Sequence, residues 1–373
     1  MEFNILEICL LTALLLCFFV QLYFVFGVHL KLATYQIKAL PSAESEPISV
    51  IICARNEAEN LAKYLPSVFA QQYGQFEVIV VNDRSWDGTA DLLEAMQKQY
   101  ANLKVVHVPE GEKFIAGKKF AVTMGIKAAS YDWLVFTDAD CEPASENWLK
   151  GMQKPQDNDV QIVLGYSPYF KKGSLLNALI RFETFFTAVN YLSFALKGMP
   201  YMGVGRNLAY QKQLFFKNKG FAAHMHVPSG DDDLFVNANA TAGNTIIQIH
   251  AETQVWSEPK TTFLSYLRQK KRHVGAGKLY KAKHKFILST QIILQFLFYV
   301  LTITLACFPQ THIVAVAVFL FSLLLRCFVY PKLLHRLNYK ELKWWFPILD
   351  ILLMFFLVFN AVASVFVRKI QWK

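Results

Sequence analysis

The sequence predicts an α/β domain on a mostly parallel sheet, flanked by transmembrane helices. Short apolar, β-branched runs alternate with helical stretches between residues 48 and 137, the rhythm of parallel strands joined by helices. Long apolar runs lie near both ends of the chain. Of 373 residues, 54% are hydrophobic, too many for one ordinary soluble domain and too few for a wholly embedded one.

Residues 5–28 are the first apolar run, long enough to span a bilayer at about 1.5 Å per residue. Glu2 and Glu7 stand where a cleavable signal would carry positive charge, so residues 1–30 read as a retained anchor. Lys31 and Lys38 follow, which places the next segment on the cytoplasmic side. Residues 31–46 read as a linker, and 41–47 (PSAESEP) have linker composition. Strands are then expected at 48–54, 76–81, 103–108 and 133–137, and helices at 57–72, 87–100 and 117–130, with Asn56 as the first N-cap. The soluble part extends over residues 47–283. Within it, residues 174–200 are apolar for a loop, and Arg181, Glu183 and Asn190 interrupt them, which suggests an interfacial helix.

Apolar runs at 287–309, 313–330 and 345–367 predict about three helices in residues 284–373. Basic clusters, Lys278 to Lys285 and then Arg326, Lys332, Arg336, Lys340 and Lys343, read as cytoplasmic, while Trp344, Trp345 and Trp372 suit interfacial belts. Arg368, Lys369 and Lys373 conflict with three spans that start inside. Either the tail breaks the rule or one run is re-entrant or interfacial. The net charge of +10 suits anionic lipid or phosphate-bearing substrates, and the apolar runs favour these over nucleic acid. The six cysteines form no C-x-x-C pair, so neither a disulfide framework nor a zinc site is indicated, as expected of a reducing compartment.

In such sheets ligands bind beyond the carboxyl ends of the strands. Polar clusters follow three of the expected strands: Ala54-Arg55-Asn56-Glu57, then Asn82 to Thr89, then Asp138-Ala139-Asp140. Any one of them could serve turn chemistry alone. Three at one sheet edge point to a site. Two carboxylates one residue apart at the end of an apolar strand are costly without a cation, and a hard divalent ion shared with substrate phosphates meets that need.

The strings SVIICARNEAENLAKYLPSVFAQQ, FEVIVVNDRSWDGTADLL, GKKFAV and VFTDADCEP resemble family 2 glycosyltransferases of the GT-A fold, over residues 47 to about 275. The resemblance implies a Rossmann-like GT-A domain and a nucleotide-sugar donor, UDP-sugar by family habit. It places Asp83 and the loop from Ala54 to Glu57 around the nucleotide, and Lys118 near the diphosphate. Asp138 and Asp140 would hold the nucleotide sugar and a Mn²⁺ or Mg²⁺ ion. Such an ion acts as a Lewis acid on the leaving nucleoside diphosphate, and Lys118 can add to it.

In Ser229-Gly230-Asp231-Asp232-Asp233-Leu234-Phe235, adjacent carboxylates repel and should raise at least one pKa, which suits a general base. Matching the family's acidic motif makes Asp232 the base, with Asp231 the alternative one residue away. Residues 203–210 (GVGRNLAY) resemble the segment that contacts the sugar, with Asn207 on the acceptor side. Gln269-Lys270-Lys271-Arg272-His273 resembles Q-x-x-R-W and also reads as a basic juxtamembrane cluster. Gln269 and Arg272 would then bind the diphosphate or orient the acceptor. His273 replaces the stacking Trp on the acceptor side, a smaller and titratable ring that argues against processive growth.

The expected protein is therefore an integral membrane, metal-dependent, inverting glycosyltransferase with its catalytic domain in the cytoplasm, at a bacterial inner membrane. It would glycosylate a hydroxyl of a membrane lipid or lipid-linked acceptor. A processive polysaccharide synthase is the alternative, for which four spans are few. A non-enzymatic scaffold is opposed by the intact set of Asp83, Asp138, Asp140, Asp232 and Arg272.

Overall fold

A computed structural model describes residues 4–108, 117–157, 159–225, 227 and 229–365. It divides into a sheet-bearing unit, residues 36–173 and 194–280, and a helical unit, residues 4–35, 174–193 and 281–365. In chain order the elements begin with α1 (Ile5–Leu22), α2 (Leu30–Ala33), β1 (Ile48–Ala54), α3 (Ala58–Phe69), β2 (Phe76–Asn82), α4 (Thr89–Gln99) and β3 (Leu103–His107). Next come α5 (Lys118–Ala128), β4 (Trp133–Asp138), β5 (Cys141–Pro143), α6 (Trp148–Met152), β6 (Ile162–Gly165), α7 (Leu175–Leu196), β7 (Leu208–Gln211) and α8 (Lys212–Lys217). Last are α9 (Asp233–Asn239), β8 (Thr245–Gln248), β9 (Val255–Ser257), α10 (Phe263–Gly277), α11 (Ala282–Ala306), α12 (His312–Arg336) and α13 (Phe346–Val365).

Among the described residues, seven strands form one sheet in the order β3-β2-β1-β4-β7-β6-β8. β3, β2, β1 and β4 run parallel, β7 is antiparallel to β4 and β6, and β8 is parallel to β6. The expected mostly parallel sheet is therefore present. Its central strands read as unbroken apolar runs because helices cover parallel sheets on both faces. Val50, Val78, Val80, Trp133 and Val135 are fully buried. α3 presents Leu61, Tyr64, Leu65 and Val68 to the core, the spacing of one helical stripe.

Element boundaries agree with the sequence to within a few residues, with one instructive difference. Glu57, not Asn56, is the N-cap of α3. Asn56 instead has φ 56°, a left-handed conformation that asparagine tolerates, and its Oδ1 accepts the Trp86 N–H at 3.0 Å. It is a loop clasp rather than a helix cap.

In the helical unit, Asn4 and Glu7 form a reciprocal capping box at the start of α1. α1 continues through a π-helical stretch (Tyr23–His29) into α2. Among the described residues three helices are long and apolar enough to cross a membrane: Ile5–Ala33, α11 and α12. A shorter apolar helix occupies Phe346–Val362. Trp372 and the basic tail lie outside the described residues.

Two expectations change here. Arg326 is not a cytoplasmic loop charge; it is 2% exposed on α12 and paired with Asp350 of α13 at 2.6 Å. The 174–200 segment forms one 22-residue helix, Leu175–Leu196, of which residues 175–193 belong to the helical unit. A helix lying in the headgroup plane would keep a polar face in water, yet Arg181, Glu183, Asn190 and Ser193 are buried along with Phe182 and Phe185. Arg181 is paired with Glu341 and lies 4.5 Å from the Tyr339 ring.

α5 packs on β1 and β2 through Gly125, where an added Cβ would lie 2.8 Å from Ile51 Cγ2 and 3.0 Å from Val81 Cγ2. Both are short branched side chains of central strands. Gly125→Val should therefore overpack this layer and cost about 1–3 kcal/mol, seen as a lower melting temperature of the purified protein. An unchanged melting temperature would mean that the helix can lift off the sheet at little cost.

Candidate active site

The loops after β1 and β2 fasten to each other. Asn56 N–H donates to Ser85 Oγ at 2.9 Å and Glu57 N–H to Thr89 Oγ1 at 3.1 Å. Asp83 follows β2 directly; its N–H donates to Ala54 O at 2.8 Å, and its Oδ1 accepts from Arg84 Nε at 2.8 Å. Asp83 is 3% exposed, and its Oδ2 is buried with no partner among the described residues. A buried, unpaired carboxylate oxygen is expensive, and an N–H of a nucleotide base would satisfy it. Ala54 is 1% exposed, so its side chain serves the core rather than a ligand. Glu57 accepts from Asn60 Nδ2 at 2.5 Å.

Lys118 opens α5. Its ammonium donates to Asp138 Oδ1 at 2.8 Å and lies 3.4 Å from Asp231 Oδ2. Two of the sequence-predicted donor residues, Lys118 and Asp138, are thereby brought together with Asp231 and Asp232 of the acidic motif. These four line one small cavity with Cys53 and Gly205 that has room for about one water. Burial alone would lower the Lys118 ammonium, but Asp138, Asp231 and Asp232 raise it well above the usual lysine range. Burial would raise Asp138, but Lys118, with Arg206 and Lys260 behind it, holds it below the usual carboxylate range. Asp140 has no such contact among the described residues. Burial and then the Asp138 charge push it up, and it accepts a weak bond from Cys141 Sγ at 3.4 Å.

The acidic motif turns on Gly230, whose φ of 87° is left-handed and where a Cβ would lie 2.6 Å from Leu234 Cδ1. Asp232 caps α9. Its Oδ2 accepts Gly205 N–H at 2.7 Å and its Oδ1 accepts Asp233 N–H at 2.7 Å. Burial and Asp231 push its carboxyl up. Asp233 accepts from Tyr280 Oη at 2.8 Å, and burial with the Asp232 charge pushes it up to about 7. Lys119 clasps the preceding loop, donating to His224 O at 2.6 Å and Val227 O at 3.1 Å. Burial pulls its ammonium down to about 8 despite the neighbouring carboxylates.

Asn207 is not an acceptor contact. It is fully buried, and its amide is consumed by Tyr166 O at 2.8 Å, Thr253 O at 2.9 Å and Trp148 Nε1 at 3.0 Å. The neighbouring Arg206, which sequence reasoning passed over, faces the site instead. Its guanidinium lies 4.3 Å from the Tyr169 ring and acts on Asp138 and Asp140, and its Nη1 is buried with no hydrogen-bond partner among the described residues. Gln269 Nε2 donates to Tyr169 Oη at 3.4 Å, so this motif residue belongs to the same corner. Arg272 and His273 lie on α10, but their side chains are outside the described residues. Lys260 and Tyr280 were also missed.

No group of three metal-ligating side chains occurs among the described residues. The donor set still fits a divalent ion completed by substrate oxygens, because Asp140 is half-buried near Asp138 and its carboxyl is pushed up by that charge after burial.

The elevated Asp233 carboxyl has a consequence for stability. Between its ordinary 3.8 and about 7, the folded protein holds a proton that the unfolded chain has released. This contribution to stability is full below the ordinary value and is lost as pH rises through about 7. Asp233→Asn should remove that loss, so its melting temperature should gain on wild type between pH 5 and pH 8. A constant difference across that range would show that Asp233 ionises as freely in the fold as in the unfolded chain.

The Glycosyl transferase family 2 model matches residues 49–221. The chain is 36% identical over 121 residues to Glycosyltransferase AglE of Haloferax volcanii, covering 32% of this chain and 38% of that protein. It is 27% identical over 186 residues to poly-beta-1,6-N-acetyl-D-glucosamine synthase of Staphylococcus aureus, covering 46% of this chain and 44% of that protein. The matched part thus spans less than half the length of either relative. Mannosyltransferase PcManGT from Pyrobaculum calidifontis, solved with GDP-Man and Mn²⁺, superposes with a TM-score of 0.64 at 17% identity, covering 98% of this chain and 100% of that one. That likeness is one of fold, the GT-A fold. Residues 49–221 thus match the pattern of glycosyl transferase family 2, on a fold shared with the mannosyltransferase.

Proposed function

We propose that the chain transfers a sugar, with inversion, from a nucleotide sugar to a hydroxyl of a membrane lipid or lipid-linked acceptor at the cytoplasmic face. The observation that carries this reading is Lys118, whose ammonium joins Asp138 on the donor side to Asp231 on the acidic motif. One residue thereby couples the leaving group's surroundings to the base. The acceptor oxygen bonds to the anomeric carbon as the bond to the diphosphate breaks. The acceptor proton passes to a carboxylate, and the electron pair leaves with the nucleoside diphosphate.

Within the motif, geometry favours Asp231 as that base. Both Asp232 oxygens already accept backbone N–H groups, whereas Asp231 faces the cavity beside Lys118. Asp232 then holds Gly205 and α9 in place. Asp83 reads the base of the nucleotide, and Lys118, Arg206 and Lys260 supply positive charge for the diphosphate. A Mn²⁺ or Mg²⁺ ion held by Asp140 and Asp138 would supply Lewis-acid stabilisation of the leaving group. Gln269 and Arg272 are proposed on the diphosphate and His273 on the acceptor side. A UDP-sugar is the expected donor. The three long apolar helices and their basic flanks support an integral membrane protein with a cytoplasmic site. The match to a polysaccharide synthase keeps processive synthesis as the second reading.

The test is nucleoside diphosphate release from UDP-glucose, UDP-N-acetylglucosamine and GDP-mannose, with Mn²⁺ and a lipid extract. Asp231→Asn should lower kcat by about 10²–10⁴-fold while leaving the fold intact, and Asp232→Asn should lose less in kcat and more in melting temperature. The reverse pattern would make Asp232 the base. EDTA should abolish release and Mn²⁺ should restore it. A single-addition product supports lipid glycosylation, and a polymer supports the synthase. Folded wild-type protein inert toward every donor would point to the scaffold.

A further inference from the structure

Polar side chains gather inside the helical unit, where an apolar bundle needs none. On α12, Arg326 donates from Nη1 to Asp350 Oδ2 and from Nη2 to Tyr299 Oη, both at 2.6 Å. Gln295 Nε2 reaches Asp350 at 3.1 and 3.2 Å, and the Tyr299 hydroxyl donates to the same carboxylate. The ion pair is thus neutral overall and well bonded. A second set joins His29 to Tyr330 Oη at 2.9 Å and to Asn190 Oδ1 at 3.1 Å. Polar groups at this depth are rare unless they serve each other or a ligand.

Four atoms have no partner among the described residues: Gln21 Nε2, Gln21 Oε1, Gln291 Oε1 and Arg326 Nε. The three residues are 5%, 4% and 2% exposed, so water outside the bundle does not reach them. All three line one cavity with Gln295 and Tyr330, and it has room for about one water molecule. Two of the unpaired atoms are donors and two are acceptors, so their complement must both accept and donate hydrogen bonds. An ionic ligand does not suit the cavity. Arg326 is its one charged lining residue among those described, and Asp350 already neutralises it. We infer that this cavity is a binding site for an uncharged hydroxyl, supplied by an ordered water or by a bound lipid. None of its residues belongs to the transferase site, and the inference does not depend on the reaction proposed above.

The full chain, purified in detergent, tests it through Gln21→Leu and Gln291→Leu. If a hydroxyl occupies the cavity, each change displaces it and strands the remaining polar atoms, and the melting temperature falls by about 2–4 °C or more. If the cavity is dry, Gln21→Leu replaces an unpaired amide with a packing side chain, and an unchanged or raised melting temperature of that variant overturns the inference, whereas Gln291→Leu also loses the contact of Gln291 Nε2 with His29 Nε2 at 3.5 Å and is read against it. Should neither variant fold, a density map of the wild-type protein that resolves waters decides. A peak within hydrogen-bonding reach of Gln21, Gln291 and Arg326 supports the site, and an empty cavity or a direct Gln21–Gln291 pair overturns it. Mass spectrometry of co-purifying lipids separates the two sources. A hydroxyl-bearing lipid present with wild type and lost from Gln21→Leu marks a lipid, and an unchanged lipid set with an isolated peak marks water.

Discussion

The ammonium of Lys118 is held between Asp138 at 2.8 Å and Asp231 at 3.4 Å, and the half-buried carboxylates around it can share one small space because it is there. The contrast among them shows its reach. Asp138 touches the lysine and is held below the usual range, while Asp140 and Asp232 lie beyond direct contact and are pushed up by burial and then by an adjacent carboxylate, Asp138 for the first and Asp231 for the second. In a partly buried pocket such differences are large because charges interact strongly there. The position is also unfavourable on local grounds. A cation at the first residue of a helix opposes the helix dipole, and Gly117 offers no side-chain cap. Acidic partners must offset that cost, and they come from the end of β4 and from the turn before α9.

Much of the fold was legible because its physics is local in sequence. Central parallel strands are buried on both faces, so they appear as unbroken apolar runs, and their carboxyl ends are marked by an abrupt change to Asn and Asp. The clusters at Asp83, Lys118, Asp138 and the acidic motif do converge on one edge. What was not legible is which way a side chain points. Arg206 and Asn207 are adjacent and both polar, yet Asn207 is sealed among three partners while Arg206 faces the carboxylates. Neighbours just before a strand diverge toward opposite faces, and nothing in the GVGRN string says which face is wet. Tyr280 was missed for a different reason: its partner Asp233 is 47 residues away, and a lone tyrosine among lysines carries no local signal.

The acidic motif shows how geometry refines a pattern. Three consecutive carboxylates look interchangeable in sequence, but a helix start distinguishes them. The residue at the N-cap must use its oxygens on backbone N–H groups, and Asp232 does so. The residue after it turns into the first turn of the helix, where Asp233 meets Tyr280. Asp231, before the cap, is left facing the cavity. Division of labour among like residues therefore follows from where the helix begins.

The helical unit obeys the same electrostatic rule with a different outcome. A hydropathy average over eighteen residues tolerates one arginine, so α12 still reads as a spanning helix although Arg326 sits inside it. What the average hides is the partner. Asp350 is on another helix, and only folding shows that the two charges cancel with Tyr299 and Gln295 around them. A buried pair of this kind adds little net stability over apolar packing, but it is costly to break, so it fixes the register of α11, α12 and α13 against alternatives that would leave one charge alone. Apolar side chains alone would let those helices slide or rotate with little penalty. Arg326 and Asp350 thus matter to the bundle more through the arrangements they exclude than through the energy of their own contact.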